Sequence, residues 1–156
     1  MIEVAIPGFG DLNIKYLVLD YNGTLAKDGT LLTGVSDLLV KLAEVVEIYV
    51  ITADTFGSVA VEMKDLPVKI TTIDREDERY SKLTLIKELG SYETASIGNG
   101  SNDEWMLKES RIGIGIIGQE GCSLKALQSA DVAVHHIQHA LELFLYPNRL
   151  KATLRY

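Results

Sequence analysis

The residue best placed for chemistry is Asp20, which follows the apolar run Leu17-Val18-Leu19 and precedes the turn-forming pair Asn22-Gly23. This pattern predicts a buried strand whose final carboxylate faces solvent. Ligands of open parallel α/β sheets bind beyond the carboxyl ends of the strands, so Asp20 is a candidate catalytic carboxylate. The alternative is that an isolated Asp-x-Asn-Gly only opens a turn, and the rest of the chain must decide between the two.

Three further polar features are candidates for the same site. Thr52 follows the apolar segment 48–51, and the loop Gly98-Asn99-Gly100-Ser101-Asn102-Asp103 follows the apolar segment 95–97. Lys82 lies at the start of a predicted helix, where the helix dipole disfavours a cation and a specific partner is therefore expected. A carboxylate, a hydroxyl, an ammonium and an oxygen-rich loop together can hold a phosphoryl group and a hard divalent cation.

The elements that must position these residues alternate between strands and helices. The predicted strands are 2–6, 12–19, 48–51, 68–70, 95–97, 112–116 and 132–134. The first two form an N-terminal hairpin whose second arm continues into the strand that carries Asp20. The predicted helices are 35–45 capped by Thr33, 56–63, 82–89 capped by Ser81, one that contains Trp105 and Met106, 123–128 and 137–145. A charged loop is predicted over 74–79; its run 74–78 is expected to be solvated, with part of the rim of the site as the alternative. This alternation predicts an α/β fold, a three-layer α/β/α Rossmann-like arrangement around a parallel sheet.

Composition limits the class of protein. The chain has 156 residues, of which 47% are apolar, and a net charge of −7. We expect a single domain over residues 1–156 that does not bind nucleic acid, because binding to a phosphate backbone requires a basic surface. The lone Cys122 indicates a reducing, cytoplasmic setting and is expected to be a small, buried residue rather than a reactive thiol. Since no apolar run is long enough to span a bilayer, no membrane contact is expected.

The four polar features resemble the sequence motifs of the haloacid dehalogenase-like superfamily, whose phosphatases and ATPases form an aspartyl-phosphate. The segment 20–24 resembles its first motif, Ile51-Thr52 the second, Lys82 the third and the loop 98–103 the fourth. Their order and spacing agree with the family over most of the chain. The resemblance implies the superfamily's Rossmann-like fold, and the chain is similar to soluble relatives of the phosphorylation domain of P-type ATPases.

The resemblance also implies a role for each residue. Asp20 would be the nucleophile, Thr52 would donate to the transferring phosphoryl oxygens, and Lys82 would neutralise them. The implied ligands of Mg²⁺ are Asp20, the backbone carbonyl of Asn22, Asn99 and Asp103. The implied phosphate-binding residues are Asp20, Gly23, Thr52, Ala53, Lys82 and Asn102. Gly23 suits the tight turn after the nucleophile, whose backbone N–H groups can point at the phosphate.

Two residues depart from the family pattern. Asn22 stands where the family's phosphatases have an aspartate that protonates the leaving group, and an amide cannot transfer a proton. Loss of general acid–base assistance lowers a rate by about 10²- to 10⁴-fold, so we expect a slow phosphatase, or one whose aspartyl-phosphate accumulates. Asn99 stands where the family usually has a metal-binding aspartate, which weakens Mg²⁺ binding. The alternative is a catalytically impaired regulatory module that binds phosphate or metal.

The spacing leaves no room for a cap domain. Only residues 21–51 separate Asp20 from Thr52, and the gap from Thr52 to Lys82 is equally short. The resemblance therefore points to a capless member, similar to small tetrameric sugar-acid phosphatases, with a small phosphorylated substrate and a homo-oligomer, dimer or tetramer, that covers the site. The helix 137–145 and the tail 147–156 are candidates for the subunit contact, although packing on the chain's own sheet is the alternative.

Three side-chain features leave alternatives open. His135-His136-x-x-His139 can place two imidazoles on one helix face for a metal, but histidines at a helix start more often meet solvent. Trp105 is expected in the core, with the site entrance as the alternative. Tyr21 either contacts substrate or covers the sheet edge.

Overall fold

The computed structural model of the protein describes residues 1–54 and 56–156, and its strands lie close to the predicted segments. The strands are β1 (Ile2–Ile6), β2 (Gly10–Ile14), β3 (Tyr16–Asp20), β4 (Ala26–Lys27), β5 (Thr30–Leu31), β6 (Glu47–Thr52), β7 (Lys69–Thr72), β8 (Thr94–Gly98), β9 (Ile112–Ile116) and β10 (Val132–Val134). Within the described residues, six of them form a parallel sheet in the order β10-β9-β8-β3-β6-β7. The predicted parallel sheet is confirmed.

The helices cover both faces of this sheet. They are α1 (Val35–Ala43), α2 (Ser58–Glu62), α3 (Glu78–Leu89), α4 (Glu104–Glu109), α5 (Leu124–Ser129), α6 (Ile137–Leu145) and α7 (Asn148–Leu154). Leu17 and Leu19 of β3 pack in the larger core, with α1 and α6, whereas Val18 packs in a smaller core with α3, α4 and α5. Since side chains alternate across a strand, these two cores give the three layers expected from the sequence.

No helix in the part of the chain that the structure describes has the length and apolarity needed to cross a bilayer.

The N-terminal hairpin is present, but its second arm does not continue into β3. β1 and β2 pair antiparallel in a separate two-stranded sheet, whereas β3 lies in the central sheet. The change of partners occurs at Lys15, whose N–H donates to the carbonyl of Glu93 and whose carbonyl accepts from the N–H of Glu47. A further hairpin, β4–β5, was not predicted; it turns through Asp28 (φ 50°) and Gly29 (φ 80°), as the favoured two-residue turns require.

Helix α3 begins earlier than the sequence predicts, and the prediction of a charged loop over 74–79 is wrong. The side chain of Asp74 accepts from the N–H of Glu76 and opens a 3₁₀ turn, Arg75–Asp77, that leads directly into α3 at Glu78. Ser81 lies inside the helix and does not cap it. Lys82 is consequently in the second turn, where its placement depends on its ionic partners rather than on the helix dipole.

Other helix boundaries also differ. α1 starts after Gly34, which has a φ of 80° and no side-chain cap, so the predicted cap by Thr33 is wrong. α2 is shorter than predicted: it starts after Gly57, which has a φ of 79°, and Phe56 lies outside the helix and is 89% exposed. The tail after Pro147 is helical, with Leu150 buried, and the N–H of Tyr156 donates to the carbonyl of Pro7, so this segment packs on the chain's own hairpin.

Two glycines of β9 probe how closely the helices pack on the sheet, Gly113 against α4 and Gly115 against α5. A Cβ added at Gly113 would collide with the backbone carbonyl of Leu107, whereas a Cβ at Gly115 would lie 3.5 Å from the Cβ of Ala130, an ordinary contact. We expect Gly113→Ala to lower the free energy of unfolding by about 1–3 kcal/mol, because helix backbone must move. Gly115→Ala should change it by less than about 1 kcal/mol. Urea denaturation measures both, and equal effects would contradict this packing.

Candidate active site

The polar residues singled out in the sequence meet at one edge of the central sheet. β3 ends at Asp20 and β6 at Thr52, and these neighbouring parallel strands pair Asp20 with Ile51. β8, on the other side of β3, ends at Gly98 and leads into the loop that carries Asp103. The sheet order β8-β3-β6 therefore places Asp20 at the centre of the site.

A buried ionic cluster forms the base of the site. Lys82 Nζ lies 2.8 Å from Asp20 Oδ1 and 2.6 Å from Asp103 Oδ1. The exposed fractions are 1% for Lys82, 8% for Asp20 and 0% for Asp103, so the cluster is largely shielded from water. One ammonium thus pairs with two carboxyl groups, and these are the specific partners that the sequence predicts for Lys82.

Burial and like charge perturb the nucleophile candidate. Burial first, and the nearby carboxylate of Asp103 second, raise the pKa of Asp20 to about 7 against the opposing effect of Lys82 and of a hydrogen bond from Thr24. For Lys82, burial lowers the pKa, but Asp20 and Asp103 outweigh burial and the pKa rises. The lysine is therefore charged at neutral pH. Any further positive charge that binds near Asp20 would favour the ionised form of its carboxyl group.

The turn after Asp20 is held by its own hydrogen bonds. Gly23 has a φ of 77°, and its N–H donates to the carbonyl of Ala26 at 2.9 Å. The predicted contact of that N–H with a phosphate would have to replace this bond. Thr24 Oγ1 lies 3.3 Å from both Asp20 Oδ2 and Asn99 Oδ1, which links the turn to the fourth-motif loop. Because the Asn99 side chain contacts the space where a Cβ of residue 23 would lie, this position requires glycine.

The segment after β6 supplies a hydroxyl and a capping carboxylate. Thr52 is 4% exposed, and its Oγ1 accepts from the N–H of Asp54 at 3.0 Å, which leaves the hydroxyl proton for an acceptor in the site. Asp54, which sequence reasoning missed, accepts from Ser58 Oγ at 2.6 Å and from the N–H groups of Val59 and Phe56. These bonds, led by that of Ser58, lower the pKa of Asp54 to about 2 and fix the start of α2.

The fourth-motif loop is organised around Asp103. Its Oδ2 accepts from the N–H groups of Asn99 at 2.9 Å and Gly100 at 2.8 Å, while its Oδ1 receives Lys82. Asn99 Nδ2 donates to the carbonyl of Gly121 at 3.0 Å. Asn102 Nδ2 donates to Glu78 Oε2 on α3, so Asn102, a predicted phosphate ligand, has a protein partner.

The predicted metal ligands are of the type that a hard cation prefers, but they carry little negative charge. Asp20, the carbonyl of Asn22 and Asn99 Oδ1 are oxygen donors, as Mg²⁺ prefers, but Asp20 alone of these three is charged. Both oxygens of Asp103 are engaged by other groups, so its role as a ligand stays a prediction. Within residues 1–54 and 56–156, no three His, Cys, Asp or Glu side chains form a cluster able to hold a metal by themselves. A cation here would complete its coordination with water or with oxygens of a bound phosphate.

A cleft of about 390 Å³ opens beside Asn22. Its lining includes Tyr21, Asn22, Ala53, Asp54, Arg75 and Glu78. Arg75 Nε donates to the carbonyl of Ala53 at 3.1 Å. Arg75 and Glu78 belong to the charged run expected as a solvated loop, with the rim of the site as the alternative, and the structure places both on the wall of the cleft. Tyr21 is 1% exposed and its hydroxyl donates to the carbonyl of Gly29, so it supports the β4–β5 hairpin that borders the cleft.

The remaining candidates lie around this edge. A second cavity of about 400 Å³ borders Gly23 and Thr24 and includes His135 and His136. The ring of His139 lies edge-on to that of His136, with centroids 5.1 Å apart. Among the described residues no group of three His, Cys, Asp or Glu side chains forms around this pair, so a metal site of two imidazoles stays an untested alternative.

The structure contradicts the expectation for Trp105 and agrees with the expectation for Cys122. The expected core position of Trp105 is wrong: it is 39% exposed at the start of α4, with Arg79 lying 5.0 Å from its ring. Cys122 is half-buried, and burial raises the pKa of its thiol, which agrees with the expectation that it is unreactive.

Comparison with solved structures identifies the fold. A cobalt-bound deoxy-D-mannose-octulosonate 8-phosphate phosphatase from Haemophilus influenzae aligns with a TM-score of 0.72 and 14% identity, over 86% of this chain and 88% of that one. The 3-deoxy-D-manno-octulosonate 8-phosphate phosphatase from Moraxella catarrhalis, in complex with magnesium, phosphate and KDO, gives 0.68 and 21% over 92% and 94%. These likenesses confirm the fold class inferred from the motifs.

Sequence relatives of two kinds match the chain, although no protein-family model does. The human phospholipid-transporting ATPase IG is 44% identical over 62 residues, which are 39% of this chain and 5% of the ATPase. An uncharacterized protein of Methanocaldococcus jannaschii, MJ0073, is 43% identical over 90 residues, which are 53% of this chain and 97% of that protein. The chain therefore belongs to the same family as the M. jannaschii protein and has the capless fold of the haloacid dehalogenase-like superfamily.

Proposed function

We propose that the protein is a Mg²⁺-dependent phosphomonoester hydrolase that forms an aspartyl-phosphate at Asp20. The observation that carries the proposal is the buried cluster of Asp20, Lys82 and Asp103 at the open edge of the sheet, beside a cleft of about 390 Å³. A carboxylate in contact with a lysine, at the end of a central strand, is a nucleophile placed where a phosphorylated ligand can reach it.

The residues would act mainly through positioning and charge. A carboxylate and a phosphate repel one another, so the attack of Asp20 on phosphorus requires positive charge from Lys82. Thr52 has a hydroxyl proton to donate to a phosphoryl oxygen, and Thr24 orients the carboxylate of Asp20. Mg²⁺, held by Asp20, the carbonyl of Asn22 and Asn99, would supply the remaining positive charge.

The similar solved structures support this proposal, since they are phosphatases and one of them is described with magnesium and phosphate. The size of the cleft favours a small phosphorylated substrate. We further propose that residues 1–156 act as one domain, and that a dimer or tetramer covers the cleft, since within the described residues no inserted domain separates Asp20 from Thr52 or Thr52 from Lys82. A cytoplasmic location remains part of this proposal.

Release of inorganic phosphate from a panel of phosphomonoesters, with and without Mg²⁺, tests the proposal. Asn22→Asp should raise phosphate release, because it adds a carboxyl able to transfer a proton; the gain reaches about 10²- to 10⁴-fold where no other side chain already transfers that proton and is smaller where one does. Glu76→Gln, an exposed change in the turn before α3, is the matched control and should leave the rate unchanged. A protein that releases no phosphate in either form, with Mg²⁺ present, would refute a hydrolase.

The second candidate is a regulatory module that binds phosphate or metal without turnover. Asn22 and Asn99 favour this candidate. The resemblance leads one to expect an aspartate at each position, one to transfer a proton and one to bind the metal, and asparagine does not transfer a proton and brings no charge to the metal. It predicts saturable binding of phosphate and no gain in rate from Asn22→Asp.

A further inference from the structure

None of the residues assigned so far to the proposed reaction can transfer the protons that it requires. An alcohol leaving group must receive a proton as it departs, and the water that attacks an aspartyl-phosphate must lose one. Asn22 lies on the wall of the cleft but has no proton to exchange. A titratable side chain elsewhere on that wall is therefore required for turnover at a useful rate.

Glu78 lies on the same wall, in line with the catalytic lysine. It is the first residue of α3 and precedes Lys82 by four positions, so both side chains project from one face of the helix. α3 starts at the edge of the sheet that carries Asp20, because it follows the end of β7 through a single 3₁₀ turn. Glu78 is thus about 6 Å nearer the open end of the site than Lys82 along the helix axis.

Consecutive residues of the fourth-motif loop fix the two side chains. Asn102 Nδ2 donates to Glu78 Oε2, and the adjacent Asp103 accepts from Lys82 Nζ at 2.6 Å. Lys82 Nζ in turn lies 2.8 Å from Asp20 Oδ1. Glu78 is one of the residues that line the cleft, and in residues 1–54 and 56–156 its Oε1 has no hydrogen-bond partner, so one oxygen positions the carboxyl group and the other is free of protein contacts of this kind.

The other carboxyl groups of the site are unsuited to the task. Asp54 accepts three hydrogen bonds that stabilise its ionised form, so it holds α2 and is a poor proton donor. Asp103 is 0% exposed, with both oxygens engaged, and cannot reach a leaving group. Asp20 is the nucleophile of the proposed reaction.

We propose that Glu78 is the proton-transfer residue of this hydrolysis, an inference that rests on the proposed function. As the bond from Asp20 Oδ to phosphorus forms and the ester P–O bond breaks, the carboxyl group of Glu78 gives its proton to the departing oxygen. A water oxygen then attacks phosphorus, its proton passes to the carboxylate of Glu78, and the bond between Asp20 and phosphorus breaks. Alcohol and inorganic phosphate leave, and both side chains return to their starting states.

The test compares Glu78→Gln with the wild type on two esters, an alkyl phosphate such as glycerol 2-phosphate and an aryl phosphate such as p-nitrophenyl phosphate. The variant keeps an oxygen to accept from Asn102. We expect kcat/KM for the alkyl ester to fall by about 10²- to 10⁴-fold, because an alkoxide needs a proton to leave. For the aryl ester, whose phenoxide leaves unaided, kcat/KM should fall less than about tenfold, while the phosphoenzyme accumulates.

Rescue separates proton transfer from a structural role. Asn22→Asp should restore alkyl-ester turnover in the Glu78→Gln background, and its effect there should exceed its effect in the wild type. Glu76→Gln is the charge-matched control. Equal losses on both esters, no rescue, or faster turnover in Glu78→Gln would overturn this inference and leave the proposed function standing. A wild-type protein that turns over neither ester would overturn both.

Discussion

Lys82→Met is expected to lower the free energy of unfolding by about 3–5 kcal/mol, because it leaves two carboxylates in a buried site without their counter-charge. The side chains of Asp20 and Asp103 are 11% and 0% exposed, so water cannot take over the role of the ammonium. Urea denaturation at neutral pH without metal measures the effect. The loss should shrink as the pH falls towards about 7, the pKa of Asp20 in the wild type, because without Lys82 this carboxyl group becomes protonated at a still higher pH and one unpaired charge is removed.

Lys69→Met is the matched control for this prediction. Lys69 also pairs with a carboxylate, that of Glu47, but the two side chains are 60% and 41% exposed. Exposed pairs contribute about 0–1 kcal/mol, so this variant should unfold almost as the wild type does. Similar losses for the two lysine variants would show that the buried cluster has no special energetic role. The double variant Lys82→Met with Asp20→Asn should recover part of the lost stability, because one unpaired charge is gone.

Asp20→Asn is expected to reduce phosphate release by at least about 10³-fold, to the background level, because an amide cannot replace the carboxylate that attacks phosphorus. The same variant should take up no phosphoryl group, which a mass measurement of the denatured protein after exposure to substrate would show. Asp54→Asn, at a neighbouring carboxylate that caps α2, should instead weaken the fold near residue 58 and retain phosphorylation at Asp20. Phosphate release by Asp20→Asn at the wild-type rate would contradict the assignment of the nucleophile.

The stability of Asp20→Asn should move in the opposite direction to its activity. Burial and Asp103 raise the pKa of Asp20 to about 7, so protonation of this group favours the fold at low pH, and that contribution is lost as the pH rises through about 7. Asparagine has no such titration. In metal-free protein, the stability of the variant relative to the wild type should therefore increase as the pH rises across that range.

The sequence was sufficient for the sheet and its polar edge because strand ends are local signals. Each buried strand appears as a short apolar run, and the residue that follows it must lie at the carboxyl edge if the strands are parallel. Asp20, Thr52 and the loop of Asn99 and Asp103 were all located in this way, and the structure brings them together with Lys82.

The start of α3 could not be placed from the sequence because two residues, Asp74 and Ser81, both have side chains typical of a helix cap. Ser81 has the side chain of a typical cap, but Asp74 and a 3₁₀ turn begin the helical path several residues earlier. Glu78 was missed for the same reason, since only the earlier start puts it on one helix face with Lys82. Trp105 was misplaced because an apolar ring in a helix suggests burial, whereas its position beside Arg79 depends on tertiary packing.

The β4–β5 hairpin has a consequence for how new specificity can arise. Its two-residue turn, Asp28-Gly29, projects from the polypeptide directly after the nucleophile strand and lies apart from every strand of the central sheet. Loop tips of this kind tolerate added residues, since no core packing depends on them. Lengthening this arm would place new side chains over the mouth of the cleft, so evolution or design could add a lid to the proposed active site at this hairpin.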